Sequence, residues 1–224
     1  MIETTRTDDV FTLKMIDNEN RVNPTFLEAF KAALDEVEAA DGPVTAVITG
    51  EGKFFSNGLD LEWMGSAPDG GALEVVNGLQ ELYARLIAFP RPVVAAVNGH
   101  AFAGGAMLAL ACDAVVMRED RGFFCLPEVD INIPFTKGMA ALVQCKLVPS
   151  VARDAMLSGR RYTGPEAVAA GIADAAVAED QVVPAAIELA RPFAGKTPSV
   201  VGAIKKTMFA TAIAGLEEIV EGGI

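Results

Sequence analysis

The stretch that most constrains this chain is residues 92–113, "PVVAAVNGHAFAGGAMLALACD", where an apolar run breaks at Asn98-Gly99 and passes into a segment of glycine and alanine. A short apolar run closed by an Asn-Gly turn reads as a buried strand, and the small residues after it read as a helix beginning near Gly104. A helix start exposes unpaired N–H groups with partial positive charge, and glycine lets a ligand come close to them. The stretch can therefore serve as an anion cradle or as tight helix-to-strand packing, and alone it does not choose. It carries no GxGxxG and no GxxxxGK[ST], so a dinucleotide site and a P-loop lack their fingerprints. Nor does it read as a membrane span, because Asn98-Gly99-His100 and Asp113 interrupt what would need about 20 mostly apolar residues.

Strand-like runs occur at "VFTLKMI", "VTAVITG", "PVVAAVNG", "DAVVMR" and "GFFCLPE". Helical patterns alternate with them: "NPTFLEAFKAALDEVEAAD" has Asn23 to cap and Pro24 to start an amphipathic helix, and "LEVVNGLQELYARLIAF" stops before Pro90. After residue 134 the pattern is helical throughout, ending in "TPSVVGAIKKTMFATAIAGLEEIVEG". Strands interleaved with helices, then helices alone, give an α/β class with a helical C-terminal part. The 224 residues, 51% of them hydrophobic, fit one domain with a sizeable core.

Charge and cysteine content remove several function classes. A net charge of −12 disfavours nonspecific nucleic-acid and anionic-membrane binding, which rely on a positive field. Cys112, Cys125 and Cys145 are odd in number and lack CxxC spacing, so neither a disulfide framework nor a zinc site is expected. The opening "MIETTRTDDVF" has no basic start with an apolar run, and the final residues are not an SKL-like address, so the expected location is the cytoplasm. No GxSxG elbow accompanies the single histidine, His100, which reads as a turn residue bonded locally.

A second loop, "GKFFSNGLDLEWM", follows "VTAVITG" and turns at Asn57-Gly58, freeing the N–H of Leu59. Two such loops can converge on one oxygen, which is how an enolate or oxyanion is stabilised. With "KFFSNGLDL", "PVVAAVNGHAFAGGAMLALACD", "GFFCLPEVDINIP" and "ARDAMLSGRRYTGPEAVAAGIAD", the chain resembles the crotonase (enoyl-CoA hydratase/isomerase) superfamily. The resemblance implies a spiral of ββα turns as the core over residues 1–195, with residues 196–224 as a shortened C-terminal helical segment of the same domain. It implies an acyl-CoA thioester held between the N–H groups of Leu59 and Gly104. Around them, Asn57, Gly58, Asp60, Gly105 and Met107 would form the substrate pocket, and Arg21 and Lys53 would meet the CoA phosphates and adenine. It further implies a homotrimer or dimer of trimers, and no cofactor or metal beyond the coenzyme A that the substrate carries. The ending "LEEIVEGGI" lacks helices that often complete trimer contacts and cover the CoA.

Hydratases of the superfamily carry two glutamates; here the first position is Met107 and the second is Glu128, in "LPEVDINIP". Hydration benefits from two carboxylates that share water activation and proton delivery. Moving a double bond needs one base that takes a proton from the α-carbon and returns it to the γ-carbon. The motifs also resemble the 3,2-enoyl-CoA isomerases, which implies Glu128 as the proton shuttle in fatty acid β-oxidation. Phe123, Phe124, Leu126, Val129 and Ile131 offer an apolar setting that should raise its pKa. Asp130, two residues on and on the same face if the segment is a strand, is the candidate second acid. Asp60 and Glu62 could order the first loop or cap the next helix, and Asp113 could fix its turn. Phe89, Phe102, Phe135 and Trp63 could line the acyl pocket or fill the core. Hydration, or acyl-CoA binding without catalysis, are the competing readings.

Overall fold

The computed structural model describes residues 2–222. Its main sheet has six strands in the order β1 (Ile2–Thr7), β2 (Val10–Met15), β3 (Thr45–Gly50), β5 (Val93–Val97), β7 (Ala114–Arg118) and β9 (Ala175–Val177). Only β1 and β2 are antiparallel; the remaining neighbours run parallel. A second, three-stranded parallel sheet sets β4 (Phe54–Ser56), β6 (His100–Phe102) and β8 (Phe124–Cys125) side by side.

The two sheets are built by one repeated move. Each of β3, β5 and β7 is followed within a few residues by a short strand of the second sheet, and then by helix. After β4 come α2 (Leu61–Ser66) and α3 (Gly71–Ile87); after β6 comes α4 (Gly104–Ala111); after β8 comes α5 (Lys137–Lys146). The successive ββα turns are the spiral that the resemblance implies. Strands β3 and β5 are buried along their whole length, which explains why they read as continuous apolar runs rather than as alternation.

Helix α1 (Pro24–Ala39) starts where the sequence places it: the Asn23 side chain accepts from Phe26 N–H at 3.0 Å, and Phe26, Phe30, Ala33, Leu34 and Val37 face the core. Helices α1, α3 and α4 cover one face of the large sheet in the main hydrophobic cluster. The opposite face, with Val10, Val47, Val94, Ala96 and Val116, is covered by α8 (Val182–Ala190). Between them in sequence, α6 (Pro149–Ser158) packs against α5 and α7 (Gly164–Ala170) against β9.

The structure differs from the sequence reading in five places. Strand β1 precedes the first expected strand, β9 lies inside the part expected to be helical, and β4 and β6 lie within loops. The C-terminal pattern expected as one helix is two, α9 (Pro198–Met208) and α10 (Ala210–Leu216), bent by 81°. The break falls at Phe209, whose ring packs on the core under the Lys146 ammonium, 5.3 Å from the ring centre. Among the described residues, no single helix is long and apolar enough to cross a membrane.

Candidate functional site

Leu59 is held by its neighbours. Val22 N–H donates to the Gly58 carbonyl at 2.8 Å and Asp60 N–H donates to the Val22 carbonyl at 3.0 Å, making a parallel bridge between Val22 and Leu59. Successive N–H groups of extended backbone point to opposite sides, so with Asp60 N–H turned to Val22, Leu59 N–H is turned away from it. Gly58 makes this possible with φ +78°, and a Cβ there would stand 2.8 Å from the Gly104 nitrogen. The two loops therefore touch at that glycine.

Gly104 opens α4, so its N–H has no partner within the helix. Among the described residues, no backbone carbonyl accepts from Leu59 N–H or Gly104 N–H. Both residues line one cavity of about 260 Å³. Ala103, whose N–H is tied to the Cys125 carbonyl at 3.0 Å, turns the chain into α4 with a positive φ of +49°. Gly105 has its own reason: a Cβ there would collide with the Ser56 carbonyl.

Glu128 lines the same cavity and is 5% exposed. Burial pushes its carboxyl up to about 7, against a smaller opposing effect from its own backbone N–H. Its Oε2 is buried without a hydrogen-bond partner among the described residues. The segment that carries it is a turn: Asp130 and Ile131 N–H both donate to the Pro127 carbonyl, at 2.9 and 3.1 Å. That overturns the expectation of a shared strand face. Asp130 does not share a strand face with Glu128; its carboxylate is exposed, packs against Gly159 at the end of α6 and is not among the residues lining the cavity. Val129 is 46% exposed and lies off the cavity, whereas Ile131, though 43% exposed, lines it beside Glu128 together with Leu79, Phe102, Met107, Ile133 and Met139.

The other candidates divide. Met107 and Asn57 line the cavity, with the Asn57 side-chain amide anchored on the Glu19 carboxylate at 2.8 Å. Arg21 lines its edge but is engaged by Glu19 at 2.8 Å, with Asp60 and Glu62 carboxylates both at 3.9 Å. Lys53 lies outside, in a separate hollow with Glu19, Glu51 and Phe54. Asp60 caps α2 by accepting from Trp63 N–H at 3.1 Å. Asp113 fixes its turn by accepting from Val93 N–H at 2.8 Å. Phe102 and Phe135 line the cavity, whereas Phe89 is core and Trp63 packs beside it. His100 is in β6 rather than a turn, ringed by Phe54, Phe102 and Phe123 at 5.0 to 5.5 Å, and its Nδ1 has no partner among the described residues. Burial, and behind it Lys53, Arg121 and Arg161, lower its pKa.

Sequence reasoning missed Val76, Leu79, Thr136 and Met139 as lining residues. The amphipathic period of α3 marks Val76 and Leu79 as inward-facing, yet an inward face shows nothing of the hollow it meets. Two N–H groups without a backbone acceptor, one acid with a burial-raised pKa and apolar walls can hold a carbonyl, stabilise negative charge on its oxygen and move a proton nearby.

Residues 6–222 match the family model described as enoyl-CoA hydratase/isomerase. The chain is 37% identical over 211 residues to enoyl-CoA delta isomerase 3 of Arabidopsis thaliana, covering 90% of this chain and 89% of that one. It is 36% identical over 209 residues to a putative enoyl-CoA hydratase of Thermus thermophilus, covering 90% and 80%. Among solved structures, a probable enoyl-CoA hydratase of Mycobacterium tuberculosis superposes with a TM-score of 0.89 at 32% identity, over 96% of this chain and 93% of that one. With the ββα spiral, the paired loops and these similarities together, the chain belongs to the enoyl-CoA hydratase/isomerase family.

Proposed function

We propose that this protein is a 3,2-enoyl-CoA isomerase that moves a double bond from the 3 to the 2 position of an acyl-CoA thioester. The observation that carries the reading is that Glu128 is the sole carboxylate among the described residues lining the cavity, with Met107 in the same lining. The thioester oxygen accepts from Leu59 and Gly104 N–H. Ionised Glu128 takes a proton from C2; the electrons form a dienolate whose charge rests on that oxygen. The acid then returns the proton to C4, the C2–C3 double bond forms, and the carboxylate is restored. No group beyond the substrate's own coenzyme A is required. Similarity to proteins named enoyl-CoA delta isomerase supports this reading.

Similarity to proteins named hydratase and carnitinyl-CoA dehydratase keeps hydration as the reading to be tested against it. Absorbance of the conjugated thioester separates the two. A 3-enoyl-CoA should gain conjugation with time, and a 2-trans-enoyl-CoA should keep it. Glu128→Gln should lower turnover ~100-fold or more with acyl-CoA affinity nearly unchanged. Loss of conjugation from the 2-trans substrate instead would establish hydration, and a wild-type rate in the variant would remove Glu128 from the mechanism.

A further inference from the structure

We propose that Tyr83 is a positioning residue for the oxyanion hole: its hydroxyl donates to the Gly104 carbonyl, holding the Gly104–Gly105 peptide and, through the Gly104 α-carbon, the orientation of the neighbouring Ala103–Gly104 peptide whose N–H faces the cavity. The inference rests on the reading that Leu59 and Gly104 polarise a thioester.

Tyr83 is fully buried in α3, and its hydroxyl lies 2.6 Å from the Gly104 oxygen. A buried phenol needs a partner, but it could take any carbonyl in reach. The Gly104 carbonyl, in the first turn of α4, already has a helical donor available four residues on, so satisfying that oxygen does not require a tyrosine. What does require support is the way the chain enters the helix. Ala103 stands at φ +49°, a sparsely populated conformation for a residue with a Cβ, and no side chain caps α4. Such a backbone persists only where its surroundings over-determine it. Gly58 lies so close to the Gly104 nitrogen that a Cβ there would clash with it, and Tyr83 holds the Gly104 carbonyl. A Cβ on Gly104 would stand 3.1 Å from the Tyr83 oxygen and from Leu79, so the phenol sits close against the glycine and a side chain there would crowd it. Burial holds the phenol well above its ordinary pKa of 10.0, so it remains a donor across the working range.

The test uses a bound 2,4-dienoyl-CoA, whose absorption band moves to longer wavelength when hydrogen bonds polarise its carbonyl. The wild type should show that shift. In Tyr83→Phe the shift should shrink and kcat should fall roughly tenfold with KM little changed, a loss smaller than deletion of a donor because the N–H is displaced rather than removed. A role confined to stability would lower the melting temperature and leave the shift intact, and that result overturns the proposal. If the wild type itself shows no shift, the reading of the two N–H groups fails instead. Should Tyr83→Phe not fold, 3,5-difluorotyrosine at position 83 keeps the shape and strengthens the donor. The band should then move further, and an unmoved band overturns the proposal.

Discussion

Glu128 faces two ways. Its carboxyl has a pKa of about 7 instead of 4.5 because the cavity wall withholds solvent from the charge. A base must be ionised to take a proton, so kcat/KM should rise with pH through about 7 and level off above it. Stability runs the other way. Between the unfolded and folded pKa values the folded state binds more protons than the unfolded one, so stability is fully present below about 4.5 and declines as pH rises through about 7. The ionised side chain then costs on the order of 3 kcal/mol. Glu128→Gln should therefore melt at a higher temperature than the wild type at pH 8 and lose most of that advantage at pH 4, while being nearly inactive. Thermal melts at the two pH values check this, and equal melting temperatures at pH 8 would contradict the burial argument.

At the scale of elements, the site depends on short strands that hold loops in register. Strand β4 spans Phe54–Ser56, too short for periodicity to register, and was legible only as the loop that carries it, whereas β8 was legible as the run "GFFCLPE" but forms a strand only over Phe124–Cys125. The long buried strands, α1 and α3, and the start of α4 at Gly104 could be read because apolar runs, caps and Asn-Gly turns are local signals. The placement of Asp130 could not be read, since the choice between strand and turn after Cys125 is made by two bonds to the Pro127 carbonyl and by packing on Gly159. The contact between β4 and α4 is equally hidden in sequence and is unforgiving. Gly105→Ala should destabilise by about 2 kcal/mol or more, because its Cβ must displace the Ser56 backbone. A urea titration with unchanged slope and lower midpoint is the expected signature, and an unshifted midpoint would show that the two elements can part without cost.

For the molecule as a whole, the helical C-terminal part is fastened to the spiral by polar contacts at Asn77, Gln80 and Lys137 and by a buried lysine. Lys205 of α9, 7% exposed, reaches the Asp113 carboxylate at 2.6 Å and the Arg91 carbonyl at 3.1 Å, at the edge where β5 and β7 begin. Lys205→Met should cost about 2 kcal/mol, less than a fully buried pair because Asp113 is partly solvated, and should leave kcat near the wild-type value. A large kcat loss at unchanged stability would show that α9 acts on the cavity. The sequence showed this region to be helical without showing what anchors it, since charges 92 positions apart carry no mutual signal. The groups that grip the thioester in the proposed reaction belong to the main chain, and this bears on how such a scaffold can diversify. No codon change deletes a peptide N–H short of proline, so in that reaction the hold on coenzyme A thioesters would be inherited through long drift while single replacements at 107 or 128 would redirect the chemistry.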